Sequence, residues 1–249
     1  MGLAEVCAAV RPAVVAIGTT IDDAPIIIGT GFNVDPLGIV LTCRHVIEGL
    51  LLDKLPNLDV PAGKRFGYAQ VRGRQKFAMF HHAEGDGVAV EGVSPVVIYG
   101  PKKRDAAVMM LPRREEVYPW VDIGDSDAVL EGQAIATCGY PLHLALEAGT
   151  FSGTSSFQAG IISAVLPHPD LPPIHRMSLQ LDMVVNPGNS GGPVFLQETG
   201  KVIGIVQSHL FVEGSGAPQK IQTGLSYAVP INVAKPYIEK LRQNPEELT

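Results

Sequence analysis

A single serine, Ser190, stands in the stretch Asn186-Pro187-Gly188-Asn189-Ser190-Gly191-Gly192-Pro193, among residues small enough to let another backbone come close. Glycine also permits conformations that other residues reach only with strain. Such a loop can aim the amides of Gly188 and Ser190 at one point, making an anion-stabilising hole beside the hydroxyl. A Gly/Asn/Ser turn with no chemical role is the plainer reading. A serine hydroxyl is a poor nucleophile until a base takes its proton, so chemistry here requires a histidine and a group to orient it. His45 lies at the end of an apolar stretch and the start of a short turn, in Leu41-Thr42-Cys43-Arg44-His45-Val46-Ile47. Asp105 opens the apolar run Ala106-Ala107-Val108-Met109-Met110-Leu111, and Asp86, before Gly87-Val88-Ala89-Val90, is a rival acid. Taken singly, such a histidine is more often a hydrogen-bonded structural residue and such an aspartate a turn residue.

Other groupings have chemical potential on paper. His81-His82 with Glu84 and Asp86, and His168 with Asp170 and His175, carry metal-binding side chains. Neither has both the spacing and the element context of a metal site, so they read as surface histidines, and no metal or cofactor is expected. Cys7, Cys43 and Cys138 are far apart and in no C-x-x-C pair. They suggest neither a disulfide framework nor zinc, and read as buried small hydrophobes. Gly188 to Gly192 also fits the G-x-S-x-G turn of esterases, but that fold needs an acid and then a histidine after the serine, on a helix-covered parallel sheet. Only His209, with Glu198 between, lies downstream, and strand follows strand upstream.

The chain that must position these groups contains 27 Gly and 20 Pro in 249 residues, so long helices are not expected. With 18 % charged and 46 % hydrophobic residues it is neither disordered nor a coiled coil. Period-2 and β-branched runs predict strands at 13–20, 25–34, 38–43, 66–72, 75–82, 95–100 and 106–111. A second set is predicted at 133–139, 157–166, 177–185, 193–197, 201–208 and 224–229. Strands this closely spaced signal sandwiches or barrels. Short helices are predicted near 3–9 and from 231 to 242, the second with Pro236 in its first turns. The quieter stretch from Tyr118 to Leu130, with the turn-like Gly124-Asp125-Ser126-Asp127, connects the two strand sets, and 53–65 reads as a surface excursion.

Nineteen basic residues against 25 acidic ones leave a net charge of −6, which argues against a nucleic-acid partner. Residues 64–104 are nevertheless basic: Lys64, Arg65, Arg72, Arg74, Lys76, Lys102, Lys103 and Arg104 face only Glu84, Asp86 and Glu91. Solvated strand faces account for this; an acidic partner or substrate segment is the sharper alternative. No apolar run approaches the ~20 residues of a membrane span. Glu5, Arg11 and Pro12 interrupt the N-terminal apolar stretch, which does not read as a signal peptide, and Val6 stands where a myristoylation signal wants Ser or Thr. With the cysteine pattern, a reducing, cytoplasmic compartment is the default expectation.

In order along the chain, Gly31-Phe32-Asn33-Val34-Asp35, Leu41-Thr42 to His45, Asp105-Ala106-Ala107-Val108 and Gly188-Asn189-Ser190-Gly191-Gly192-Pro193 resemble the chymotrypsin-fold (trypsin-like) serine proteases. The similarity is to the protease domain of the HtrA/Deg branch above all. It extends through Pro12-Ala13-Val14-Val15, Gly124 to Asp127 with Gly132 and Gly139, Gly200 to Ile205, and Tyr227-Ala228-Val229-Pro230, leaving out roughly 53–104. The resemblance implies an all-β fold of two packed six-stranded antiparallel β-barrels with a short N-terminal and a C-terminal helix. Residues 1–120 would carry His45 and Asp105, and residues 121–249 would carry Ser190. It implies a serine endopeptidase acting on flexible polypeptides: Ser190 attacks the peptide carbonyl and forms an acyl-enzyme. His45 serves as base and then acid, Asp105 steadies the imidazole, and the Gly188, Asn189 and Ser190 backbone supplies the oxyanion hole. Asp105 is favoured over Asp86 by its apolar run and by its separation from Gly124, which is near the family's usual value.

Several positions depart from the digestive branch. Val46 replaces the half-cystine beside the histidine, and Asn189 replaces the aspartate that pairs with a newly cut amino terminus. Val184, six residues before Ser190, stands where trypsin-like enzymes carry the acid that selects Lys or Arg. A pocket floored by Val184 and lined by Gln207, Ser208 and the strand from Thr223 to Ser226 is expected to prefer small or medium apolar side chains, with His209 as an alternative hydrogen-bonding partner for an acidic or amide one. Only 19 residues follow Pro230, so the PDZ domain that the branch often appends is not expected within these residues. Assembly into oligomers is compatible with the family. The competing expectation is a latent or non-enzymatic relative that keeps the fold as a binding module.

Overall fold

The structure, a computed structural model, describes residues 2–21, 24–51, 67–70, 77–82, 88–93, 96–99, 105–111, 115–141, 155–167, 176–213 and 220–243. Eight strands of the first half form one sheet: β1 (Val14–Ile21), β2 (Ala24–Asn33), β3 (Ile39–Thr42), β4 (Gly67–Gln70), β5 (Phe77–His82), β6 (Val88–Val93), β7 (Val96–Tyr99) and β8 (Ala107–Met110). Their spatial order is β4-β7-β8-β3-β2-β1-β5-β6. The second half contributes β9 (Ala134–Gly139), β10 (Ser156–Pro167), β11 (Arg176–Asp182), β12 (Pro193–Leu196), β13 (Val202–Glu213) and β14 (Lys220–Pro230). These six close into a barrel in the order β10-β11-β14-β13-β12-β9, and all their pairings are antiparallel.

The second barrel therefore has its expected six strands, while the first half differs from expectation. It has eight strands instead of six, and no pairing among the described residues joins β4 to β6 to close the sheet. The additional strand β6 pairs with β5 from Phe77↔Val93 to His82↔Val88. The excursion at 53–65 and the eight basic residues of 64–104 lie outside the described residues, as do His168, Asp170 and His175.

Period-2 alternation explains how barrel strands bury both faces. Ile135, Val194, Ile203, Val206 and Ala228 point into the barrel core, while Ala136, Phe195, Val202, Ile205 and Val229 point into a second core shared with the first sheet. That shared core includes Phe32, Ile39, Leu41 and Met109. It also takes the apolar face of helix α1 (Leu3–Val10) through Val6 and Val10, and of the C-terminal helix α3 (Lys235–Gln243) through Tyr237, Ile238 and Leu241. The C-terminal helix thus returns to the first half, where Arg242 Nε donates to Asp35 Oδ2 at 2.7 Å. Just past α1, Arg11 lies 4.9 Å above the Phe157 ring of β10, which meets Phe195 edge-on.

Candidate active site

β3 ends at Thr42, and helix α2 (Arg44–Leu51) starts two residues later, so His45 sits in the first turn of a helix instead of the expected turn. First-turn N–H groups of a helix lack intrahelical acceptors. Asp105 supplies one: β8 pairs with β3 through Thr42↔Ala107, which places the preceding Asp105 beside the start of α2. Its Oδ1 accepts the His45 backbone N–H at 3.0 Å, and its Oδ2 lies 2.6 Å from His45 Nδ1. Burial raises the Asp105 carboxyl pKa, but the hydrogen bonds and charge of His45, with a contribution from the Cys43 thiol, outweigh it and leave the group below its usual value. The geometry therefore brings His45 together with Asp105, while Asp86 lies outside the described residues.

Ser190 lies in the turn before β12, in a loop with two left-handed glycines, Gly188 at φ +96° and Gly191 at φ +89°. Buried Thr30 of β2 clasps this loop from the first half: its N–H donates to the Ser190 carbonyl at 2.8 Å and its Oγ1 to the Gly188 carbonyl at 2.7 Å. Tyr140 N–H donates to the same Oγ1, and Thr42 Oγ1 donates to the Thr30 carbonyl. A Cβ on Gly191 would collide with the Thr30 carbonyl and Thr42 Oγ1, so only glycine allows the approach. Where a disulfide would flank the histidine, Gly29 leaves room for Val46, whose Cγ2 would lie 2.5 Å from an added Cβ.

Within the loop, the Asn189 N–H donates to the Asn186 carbonyl at 3.1 Å, which takes it out of the expected oxyanion set. No hydrogen bond to a described residue engages the Gly188 or Ser190 N–H. The Asn189 side chain is buried, donates to Gln158 Oε1 at 3.2 Å and leaves its own Oδ1 without a partner among the described residues. Ser190 Oγ donates to the Gln207 carbonyl at 3.2 Å, and no hydrogen bond joins it to His45, whose side chain is 49 % exposed.

The expected pocket residues are distributed unequally. Gln207 lies beside Ser190 through that carbonyl, and Ser208 and His209 follow it on β13, paired with Tyr227 and Ser226. Val184 is 44 % exposed, whereas its neighbour Val185 is buried in the barrel core. The hydroxyl of Ser226 braces this segment, donating to the Met183 carbonyl at 2.9 Å and accepting the Val185 N–H at 3.2 Å. Ser226 lies at the end of the stretch expected to line the pocket, whereas Thr30 escaped the sequence reading, since an isolated hydroxyl inside a strand carries no local signal. His81 and His82 fall on β5, but their proposed acidic companions lie outside the described residues. Cys43, His45 and Asp105 each bring one donor atom within 4.8 Å of the others. The 2.6 Å contact between Nδ1 and Oδ2 commits those two atoms to each other, and the Cys43 thiol donates to the Val206 carbonyl at 3.0 Å.

Residues 29–205 match the family described as the Trypsin-like peptidase domain. The chain belongs to this family. It is 30 % identical over 220 residues to a probable periplasmic serine endoprotease DegP-like of Halomonas elongata, covering 87 % of this chain and 35 % of that protein. A protein of the same name from Rickettsia conorii is 28 % identical over 219 residues, 87 % of this chain and 34 % of the relative. The chain thus spans about a third of the length of these relatives. The trypsin-like fold extends to solved structures: Deg5 superposes with a TM-score of 0.63 at 20 % identity, over 96 % of this chain and 92 % of that one. A serine-to-alanine variant of the HtrA-type protease AlgW, solved with a tripeptide, gives 0.61 at 20 % identity, over 97 % and 64 %.

These relatives correct the expected cytoplasmic address, since they are named periplasmic. The lack of a disulfide pattern was a weak guide to compartment: Cys43 and Cys138 are buried, and thiols shielded in a core need no reducing surroundings to stay free.

Proposed function

We propose that the chain is a serine endopeptidase that cuts flexible polypeptides in the periplasm through Ser190, His45 and Asp105. The observation that carries this reading is the double grip of Asp105 on His45, beside a loop whose glycines and Thr30 clasp present Ser190. When a peptide binds, the Ser190 hydroxyl turns from the Gln207 carbonyl to the imidazole, which takes its proton as oxygen attacks the scissile carbonyl. The N–H groups of Gly188 and Ser190 receive the developing oxyanion. His45 then protonates the leaving amine, and water resolves the acyl-enzyme by the reverse sequence. Apo geometry looser than the reacting geometry is common at such sites.

Val184 offers no carboxylate to Lys or Arg. The pocket beside Val184, Gln207, Ser208 and His209 is assigned to small or medium apolar side chains, and cleavage after Val or Ala should exceed cleavage after Lys. A phosphonofluoridate should label the wild type and not Ser190→Ala; labelling retained in the mutant overturns the assignment of Ser190. The resting contact of Ser190 with Gln207 supports a second reading, a latent or binding module. Wild-type protein that neither labels nor cuts casein would favour it.

A further inference from the structure

Thr30 is fully buried on β2, and each of its polar atoms has a partner around the site. Its N–H donates to the Ser190 carbonyl at 2.8 Å, and its Oγ1 donates to the Gly188 carbonyl at 2.7 Å while accepting the Tyr140 N–H at 3.0 Å. Its own carbonyl accepts Thr42 Oγ1 at 2.7 Å, three residues before His45. A hydroxyl has a single proton, so the donation to Gly188 is committed, and the Tyr140 amide occupies the acceptor side. The β-branched side chain also has few χ1 choices.

The two carbonyls that Thr30 holds bracket the expected oxyanion donors. The Ser190 N–H belongs to the Asn189–Ser190 peptide, which lies between the Gly188–Asn189 and Ser190–Gly191 peptides whose oxygens are held. Gly188, at φ +96°, is a residue whose backbone turns freely, since glycine occupies both signs of φ about equally. Neither donor N–H has a hydrogen bond to a described residue that would fix it. We propose that Thr30 is a positioning residue of the proposed protease: its hydroxyl, by holding the Gly188 carbonyl, sets the direction of the Gly188 and Ser190 N–H groups that receive the oxyanion. Glycine gives access to the left-handed turn, and a threonine from the other half of the chain supplies the rigidity that glycine lacks. Thr42 ties the same residue to the segment leading into His45, so the base and the hole share one reference point. The Thr30 methyl, 3.4 Å from where a Cβ on Gly192 would stand, packs against the loop and contributes no hydrogen bond. This role rests on the protease reading, but its first consequence, a loop held in place, is independent of turnover.

Thr30→Val keeps the shape and removes the hydroxyl; Thr30→Ser keeps the hydroxyl and removes the methyl. In the Val variant, kcat per site titrated with the phosphonofluoridate should fall on the order of tenfold with KM unchanged, short of the loss of about 10²–10³ that follows removal of an oxyanion donor. A role confined to stability would lower the number of titratable sites and leave kcat per site alone. A peptide aldehyde enriched in 13C at its carbonyl reads the hole directly. Ser190 Oγ adds to that carbon, its proton passes to His45, and the former carbonyl oxygen lies where the oxyanion forms. The pKa of that oxygen, followed by the 13C shift, should rise by about one unit in Thr30→Val, a tenfold weaker stabilisation. Thr30→Ser should recover most of each change, and Thr30→Ala is the second hydroxyl-free variant should the Val variant not fold. A kcat per site and an oxyanion pKa unmoved in the hydroxyl-free variant, or a Ser variant that behaves like it, overturns the proposal. Exchange of the Asn189, Gly191 and Gly192 amides, each hydrogen-bonded within the loop or to β13, needs no turnover and should quicken several-fold in Thr30→Val. Wild-type protein that neither forms the adduct nor cuts casein would sink the protease reading, while unchanged exchange would still show that Thr30 does not hold the loop.

Discussion

Asp105 holds His45 at two points, the backbone N–H on Oδ1 and the ring Nδ1 on Oδ2, so that one carboxylate sets both the start of helix α2 and the direction of the imidazole. Asp105→Asn keeps the shape but turns an amide N–H toward either Nδ1 or the His45 backbone N–H. With the amide on Nδ1, the imidazole is driven to the tautomer that cannot accept from Ser190. Peptide cleavage should fall by about 10³–10⁴-fold while the fold persists. Asp86→Asn should leave kcat/KM unchanged; the reverse pattern would make Asp86 the third member of the triad.

The same pair makes stability depend on pH. Because the native Asp105 carboxyl titrates below its usual value, the unfolded chain binds its proton first as the pH falls. Its contribution is present above the ordinary carboxylate pKa of about 3.9 and is lost as the pH drops through the lower native one. Urea midpoints measured from pH 5 downward should decline less steeply in Asp105→Asn than in the wild type. Parallel curves would mean that the pairing does not couple to folding.

Two glycines with nearly equal backbone angles should tolerate alanine very differently. Gly191, at φ +89°, is enclosed by Thr30, Thr42 and Cys43, whereas Gly132, at φ +84°, has nothing within 4 Å of an added Cβ. Gly132→Ala should cost about 1 kcal/mol, the strain of the left-handed conformation alone. Gly191→Ala adds a backbone collision and should cost more than about 3 kcal/mol, with loss of labelling at Ser190. Equal denaturation midpoints would show that close approach is not what selects Gly191.

On the far side of the first half, Asp35 accepts the Leu37 N–H with one oxygen and Arg242 with the other, tying α3 to the β2–β3 turn. The Arg242 side chain is 38 % exposed, so solvent screens the pair and Arg242→Ala should lower stability by only about 1 kcal/mol. Asp35→Ala also removes the turn contact and should cost more. Thermal melts of the two variants, with Ser190 labelling unchanged, would test this; a larger loss at Arg242 would contradict it.

The strands with clear apolar periodicity were legible locally, including β3, β8, β9 and β12, as were the short helix at Leu3–Val10 and the C-terminal one. Strand β6 was missed because Val88–Val93 contains Glu91 and Gly92 and has a partner only in β5 among the described residues. Strand formation there depends on that cross-strand context rather than on propensity. Helix α2 was missed because eight residues with an internal Gly49 would not hold a helix alone. Burial of Val46 and Ile47, with Asp105 at its first turn, makes it one.

The sequence by itself determined which side chains are present, their order of His45, Asp105 and Ser190, and a Gly-rich loop around the serine, because these are properties of residue type and spacing. Only the tertiary structure decided which acid meets His45, that the Asn189 amide is spent within its own loop, and that Ser190 rests on Gln207. It also turned Thr30 and Cys43 from ordinary buried residues into the contacts between halves, 158 and 163 residues from Gly188 and Val206. Hydrogen bonds across such separations depend on strand pairing and closure, and no local window of the chain encodes them.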